Sequence, residues 1–339
     1  MRRIKNSPAL KASVEAFNKS LFNNRRRDFV RPLSNLKKLL KEKKLKSKYK
    51  HEPEDIKKYV NKIITDYDDI LSADGKAMKK LVDDFNKIIP RPIHKDFHEK
   101  IVSAMRYDAL REVEFPEFLR NMNIKTCVYC HSQATLVIEE TGKKWRALLQ
   151  LDHKYPKSAY PFLCTSFYNL YPICGNCNLS KSDKESKFEL YVDDDNLDLL
   201  HFALSKKSVV KYWKTKNLQH LEVIMKPAKG SKILVDAYKK MFNIKEIYDL
   251  QKDIAEELLH KLEVYNNSYK ETLVNSFKKL FPDQSMINRL LIGNYEKSSE
   301  MLKRPMAKFV QEIARDIELI PEEDEPSDNW KFLKKTINS

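Results

Sequence analysis

Glycine is scarce: five residues in a chain of 339. A sequence this poor in glycine, and rich in Lys, Leu, Glu and Ala, excludes most β-rich architectures and favours helices. Long apolar runs are also missing. None approaches the ~20 residues that a membrane-spanning helix needs. The opening MRRIKNSPALKASVEAFNKS is basic but contains no apolar core segment, so a secretory signal is not expected. A transit peptide is disfavoured as well, because the basic character runs on past such a length. The expected location is cytoplasmic. Cysteine is limited to five residues, and apolar residues make up 42% of the chain, enough for an ordinary core.

Charge is what the sequence has in excess. The net charge is +16, and residues 1–50 hold 17 Lys or Arg against 3 Asp or Glu. The surplus is therefore almost entirely N-terminal, which is the electrostatic footprint of a polyanionic partner. Arg25, Arg26, Arg27, Lys37, Lys38, Lys41, Lys43 and Lys44 are candidates for contacts to a nucleic-acid backbone. Such contacts give affinity without sequence information.

The pattern of the chain divides it into three. Residues 1–120 read as a basic helical region, with amphipathic spacing over Leu33–Leu45 and Ile56–Leu71, a stop at Ala73-Asp74-Gly75, and a further helix over 95–112. Residues 121–190 change texture. TLVIEE, the turn Thr141-Gly142 and KKWRALLQLDH read as strand, turn and strand. Residues 191–339 read as mostly helical. Within them the acidic YVDDDNLD is expected to be a surface linker, and SVVKYWKT and HLEVIMKP a small β-hairpin at 206–226. Trp145 and Trp213 are expected in strands as core residues. Arg304-Pro305 is expected to open a helix. There is no internal repeat.

Four of the cysteines form two C-x-x-C pairs, Cys127/Cys130 and Cys174/Cys177, separated by 43 residues. Each spacing makes a knuckle that aims two sulfurs at one point, and two knuckles complete a closed tetrahedral site for structural Zn2+. A redox role for one pair is the weaker reading, because neither precedes a βαβ pattern. His131 is an alternative fourth ligand, and Cys164 reads as a small buried hydrophobe.

Between and just after the knuckles lie Asp152, His153, Asn169, Asn178 and Lys181. Asp and Asn offer hard oxygen ligands suited to Mg2+ or Mn2+, and a neighbouring His can take a proton from water. That is the composition of a metal-assisted phosphodiester hydrolase.

CVYC, LDHKYP, SFYNLYPIC and CGNCNLSK together resemble the HNH endonucleases, over residues 122–186. The resemblance implies a ββα-metal module, zinc-stapled, in the middle of a mainly α chain. It makes His153 the general base, Asn169 the residue that holds the base in place, Asp152 and Asn178 ligands of a catalytic Mg2+, and Lys181 a phosphate contact. The last motif position is Asn178 where the name-giving pattern has His, as in the H-N-N subtype of phage Holliday-junction resolvases.

A second resemblance covers more of the chain. LDHKYPKSAYPFLCTSFYNLYPICGNCNLSKSDK, MFNIKEIYDLQKDIAEELL and LLIGNYEKSSEMLKRPMAKFVQEIA are similar to HNH proteins of bacterial anti-phage defence loci, the Septu type among them. In that type an HNH subunit pairs with an ABC/SMC-like ATPase. DNA is the expected substrate. An RNA- or tRNA-cleaving nuclease and a non-catalytic, zinc-scaffolded nucleic-acid-binding protein are the alternatives.

Overall fold

A computed structural model describes residues 1–42, 50–140, 144–277 and 284–323. The chain is mainly helical and forms two compact units. One comprises residues 3–124 and 135–197. The other comprises residues 1–2, 125–134 and 198 onward.

In the first unit, helix starts follow the local chemistry. Ser7 accepts from the Leu10 N–H at 3.2 Å and Pro8 begins the helix Pro8–Ser20. Asp74 caps the helix Gly75–Asn86 through the Ala77 N–H. The helices Pro53–Thr65, Gly75–Asn86 and Lys95–Ala104 contribute Tyr59, Phe85 and Phe97 to an aromatic cluster around Phe162. Phe85 and Phe162 stack with centroids 3.8 Å apart and planes 11° apart. A second cluster joins Phe17, Phe115 and Phe118 to Phe167. Phe162 and Phe167 lie in one loop, so the N-terminal helices clamp that loop at two points. Aromatic burial of this kind is worth a few kcal/mol per ring.

Several expected elements are broken where backbone chemistry demands it. The run Ile56–Leu71 is two helices, Pro53–Thr65 and Tyr67–Ser72, interrupted at Asp66, whose carboxylate holds Lys62 Nζ at 2.8 Å. Polar Thr65-Asp66 is a poor helix interior. The helix expected over 95–112 stops at Ala104. Arg106 takes a left-handed conformation (φ 61°), and a π-helical turn follows over Leu110–Glu114. Pro116 has no N–H and crowds the carbonyl four residues back, which explains the widened turn. The helix expected over Leu33–Leu45 is seen as Pro32–Leu40, its far end lying outside the described residues.

The strand expected over KKWRALLQLDH divides at Leu149. Leu136–Glu140 pairs with Lys144–Leu148, and the turn Thr141-Gly142 lies outside the described residues. Gln150–His153 pairs antiparallel with Leu170–Ile173, placing Asp152 opposite Tyr171 and His153 opposite Leu170. The helix Gly175–Lys181 follows. The acidic YVDDDNLD is not a linker. Tyr191–Val192 pairs in parallel with Ile4–Lys5, and Asp195 and Asp193 hold Lys5 and Asn6. Part of the N-terminal basic surplus is thereby neutralised within the chain.

The second unit corrects the expected hairpin at 206–226. Leu200–Leu204, not SVVKYWKT, pairs with Val223–Pro227. SVVKYWKT belongs to the helix Lys206–Thr215, whose buried residues Ser208 and Tyr212 are four apart, a helical spacing. Trp213 is accordingly helical and half-buried, with Lys216 Nζ 3.7 Å from its ring centroid. Pro305 precedes rather than opens its helix: Met306, left-handed, is the cap of Ala307–Asp316.

On that last helix Lys308 is fully buried and binds Asp198 (2.7 Å) and Glu312. Asp198, Glu312 and exposed His201 form a cluster with metal-ligand spacing, but the ammonium already supplies its cation. Lys308→Met is expected to cost about 3–5 kcal/mol, because Asp198 and Glu312 lose the ammonium they share and are left with Arg2, His201 and the Phe202 N–H as partners. A urea unfolding curve checks this.

Candidate active site and cysteine cluster

Asp152 and His153 end the strand Gln150–His153, and Lys181 ends the helix that follows its partner strand. These three line one cleft of about 360 Å³ together with Asn178, Tyr107, Arg111 and Lys157. His153 is 6% exposed, and its Nε2 lies 3.1 Å from the Cys164 carbonyl oxygen. A carbonyl can only accept, so Nε2 carries the proton and Nδ1 is left with a lone pair. Burial lowers the His153 pKa to about 3. The bond to Cys164 opposes this, and the charges of Lys157, Lys181 and Arg111 add to it. The ring is neutral at physiological pH, as a general base must be before it acts. Tyr107 lies against it with centroids 4.9 Å apart.

Asn169 stands behind the ring. It is fully buried; its Oδ1 accepts from the Tyr155 N–H (2.8 Å), and its Nδ2 donates to the carbonyls of Tyr155 (3.2 Å) and Leu163 (3.0 Å). Its own carbonyl accepts from the Lys154 N–H at 3.0 Å. Asn169 thus ties the chain just after His153 to the chain just before Cys164, whose carbonyl fixes the imidazole tautomer. Asn169→Ala is expected to cost about 2–4 kcal/mol, since it leaves buried backbone groups without partners. Chemical denaturation reads that loss.

Lys181 sits differently from its expected place at a phosphate. It is 1% exposed, with Nζ 2.9 Å from Asp152 Oδ1 and 2.9 Å from the His153 carbonyl. Two of its three N–H groups are committed inside the protein. Asn178 is half-buried one turn earlier on the same helix.

Of the basic candidates, Arg25 is structural. It binds Glu114 (2.9 Å) and the Ala109 carbonyl (3.0 Å). Arg26, Arg27, Lys37, Lys38 and Lys41 are exposed, and none of them lines the His153 cleft. Lys43 and Lys44 lie outside the described residues.

Cys127, Cys130, Cys174 and Cys177 are all buried, and their sulfurs lie within 4.8 Å of one another. Tetrahedral Zn–S bonds of ~2.3 Å need sulfurs ~3.8 Å apart, so the donor set fits a structural metal such as zinc. The first knuckle is closed by the Thr126–Ala134 bridge and by the Cys127 N–H to the Gln133 carbonyl (2.9 Å). The second caps a helix, because Cys174 Sγ accepts from the Cys177 N–H at 3.5 Å. His131 is buried but stands outside the four-sulfur cluster. Cys164 is fully buried, and burial pushes its thiol pKa up.

Tyr107, Arg111, Lys157 and the Cys164 carbonyl were not singled out by sequence reasoning. Lys157 sits four residues after His153, within reach of the motif. A backbone carbonyl leaves no residue signal at all.

No helix among the described residues is long and apolar enough to cross a membrane. No protein-family model matches the chain, and no solved structure matches it. Comparison with curated proteins finds similarity to the Septu protein PtuB of Bacillus thuringiensis, 27% identical over 97 residues. The match takes in 27% of this chain and 35% of that protein, so it spans about a third of the relative's length. The likeness is to a Septu protein, over that stretch alone.

Proposed function

We propose that this chain is an HNH-type endonuclease that hydrolyses phosphodiester bonds in DNA, acting in anti-phage defence beside an ABC/SMC-like ATPase. The observation that carries the chemistry is the fixed tautomer of His153. Nε2–H donates to Cys164, and the neutral Nδ1 belongs to a ring lining a polar cleft. Nδ1 takes a proton from water, the resulting hydroxide attacks phosphorus, and the P–O bond to the leaving sugar oxygen breaks. That oxygen then takes a proton from solvent. Asp152 and Asn178 bring one carboxylate and one amide oxygen to the same cleft, a donor set suited to a hard cation that retains much of its water and shares Asp152 with the Lys181 ammonium. Mg2+ or Mn2+ held there would neutralise charge building on the phosphate and the leaving oxygen. The partial likeness to PtuB supports the defence role and is compatible with an ATPase partner.

The test is nicking of supercoiled plasmid with Mg2+ or Mn2+, with EDTA and His153→Ala as controls, with and without an ABC/SMC-like ATPase as the proposed partner. Metal-dependent nicking that is lost in the variant is expected. Cleavage of RNA without metal, and none of DNA, would overturn the substrate and the metal together.

A further inference from the structure

Burial of Lys181 leaves the cleft without the phosphate contact that the motif supplies on paper. Its ammonium is spent on Asp152 and on the His153 carbonyl, so at most one N–H remains. Two other cations do face solvent on the same cleft. Arg111 projects from the π-helical turn Leu110–Glu114 and is exposed, and among the described residues its side-chain hydrogen bond is to Gln150 Oε1 at 3.3 Å. Lys157 is exposed in the loop after His153, its Nζ 4.5 Å from the centroid of the Tyr107 ring, which itself packs on His153. Among the charged side chains lining the cleft, Lys181 and Asp152 cancel. Arg111 and Lys157 face Asp183 alone, which leaves a positive mouth. The charges of both also reach the imidazole, where they oppose its protonation.

We infer that Arg111 and Lys157 form the cation pair that receives the scissile phosphodiester of DNA and positions it against His153. The inference rests on the hydrolase reading above. A guanidinium matches two phosphate oxygens at once, while an ammonium acts as a point charge. The two reach the phosphate from the π turn and from the strand-end loop that line the His153 cleft.

The experiment compares the full chain with Arg111→Gln/Lys157→Gln and with Lys207→Gln/Lys211→Gln. The latter pair removes the same charge from exposed lysines of the other unit. Binding of a fluorescein-labelled 20-bp duplex is read by anisotropy over a range of NaCl, without added divalent metal. Plasmid nicking is read alongside. Loss of two phosphate contacts lowers the slope of log K against log salt by about two. The expected result is that reduction, at least tenfold weaker binding and at least tenfold slower nicking in the Arg111/Lys157 variant only. Equal slopes and rates in the two variants would overturn the clamp while leaving the nuclease reading intact. No duplex binding by the unmodified chain would remove the DNA reading, and the clamp with it.

Discussion

His153→Ala is expected to slow plasmid nicking by about 10²–10⁴-fold, the usual contribution of a positioned general base. The magnitude follows from geometry. With Nε2 committed to the Cys164 carbonyl, Nδ1 is the imidazole atom that can accept a proton, and no other neutral histidine lines the cleft among the described residues. The substitution also leaves that carbonyl without its partner and removes the ring packed on Tyr107. A stability loss of about 1–3 kcal/mol is expected with it. The variant should still unfold in one cooperative transition at a lower temperature, so loss of rate is separable from loss of fold. Nicking at the unmodified rate would show that another group activates the water.

Cys174→Ser should do the opposite, removing fold before chemistry. A closed four-cysteine zinc site contributes ~10–16 kcal/mol of apparent binding, as large as the whole stability of a typical domain. Serine is a good helix N-cap, so the substitution keeps the cap on Gly175–Lys181 and isolates the metal's share. The unmodified protein should carry about one equivalent of zinc by elemental analysis. The variant should carry less, melt lower by ten degrees or more, and aggregate on heating. A wild-type preparation with no zinc, melting as the variant does, would rule out the structural metal.

The cleft residues were legible in the sequence because each is a side chain with a chemical type. Asp152, His153, Asn178 and Lys181 are gathered on one cleft and Asn169 is placed behind it. Asn169 was legible only as part of a spacing, since three hydrogen bonds to backbone groups cannot be read from one letter. Lys181 was misread because a basic residue after a motif looks like a surface cation until its partner, 29 positions earlier, is brought to 2.9 Å. Trp213 was misplaced for a related reason: Val209, Val210, Tyr212 and Trp213 carry high β-propensity, yet the buried positions repeat every four residues. Local propensity gave way to burial. Ala73-Asp74-Gly75 was legible as a stop, and the helix Tyr67–Ser72 does end there, but Asp74 also caps the next helix, Gly75–Asn86, a start that was not expected.

The parallel pairing of Ile4–Lys5 with Tyr191–Val192 also has a consequence for how the chain is made. Nearly the whole first unit separates the two strands, so the opening segment cannot dock until residue 192 has left the ribosome. At ~5–20 residues per second that wait is about 10–40 s. Throughout it, the stretch Arg3–Lys11 stands in the nascent chain without Asp193, Asp194 and Asp195, the acids that later pair with Lys11, Arg3 and Lys5. Synthesis therefore exposes a basic, unpaired strand, and completion of the unit withdraws it.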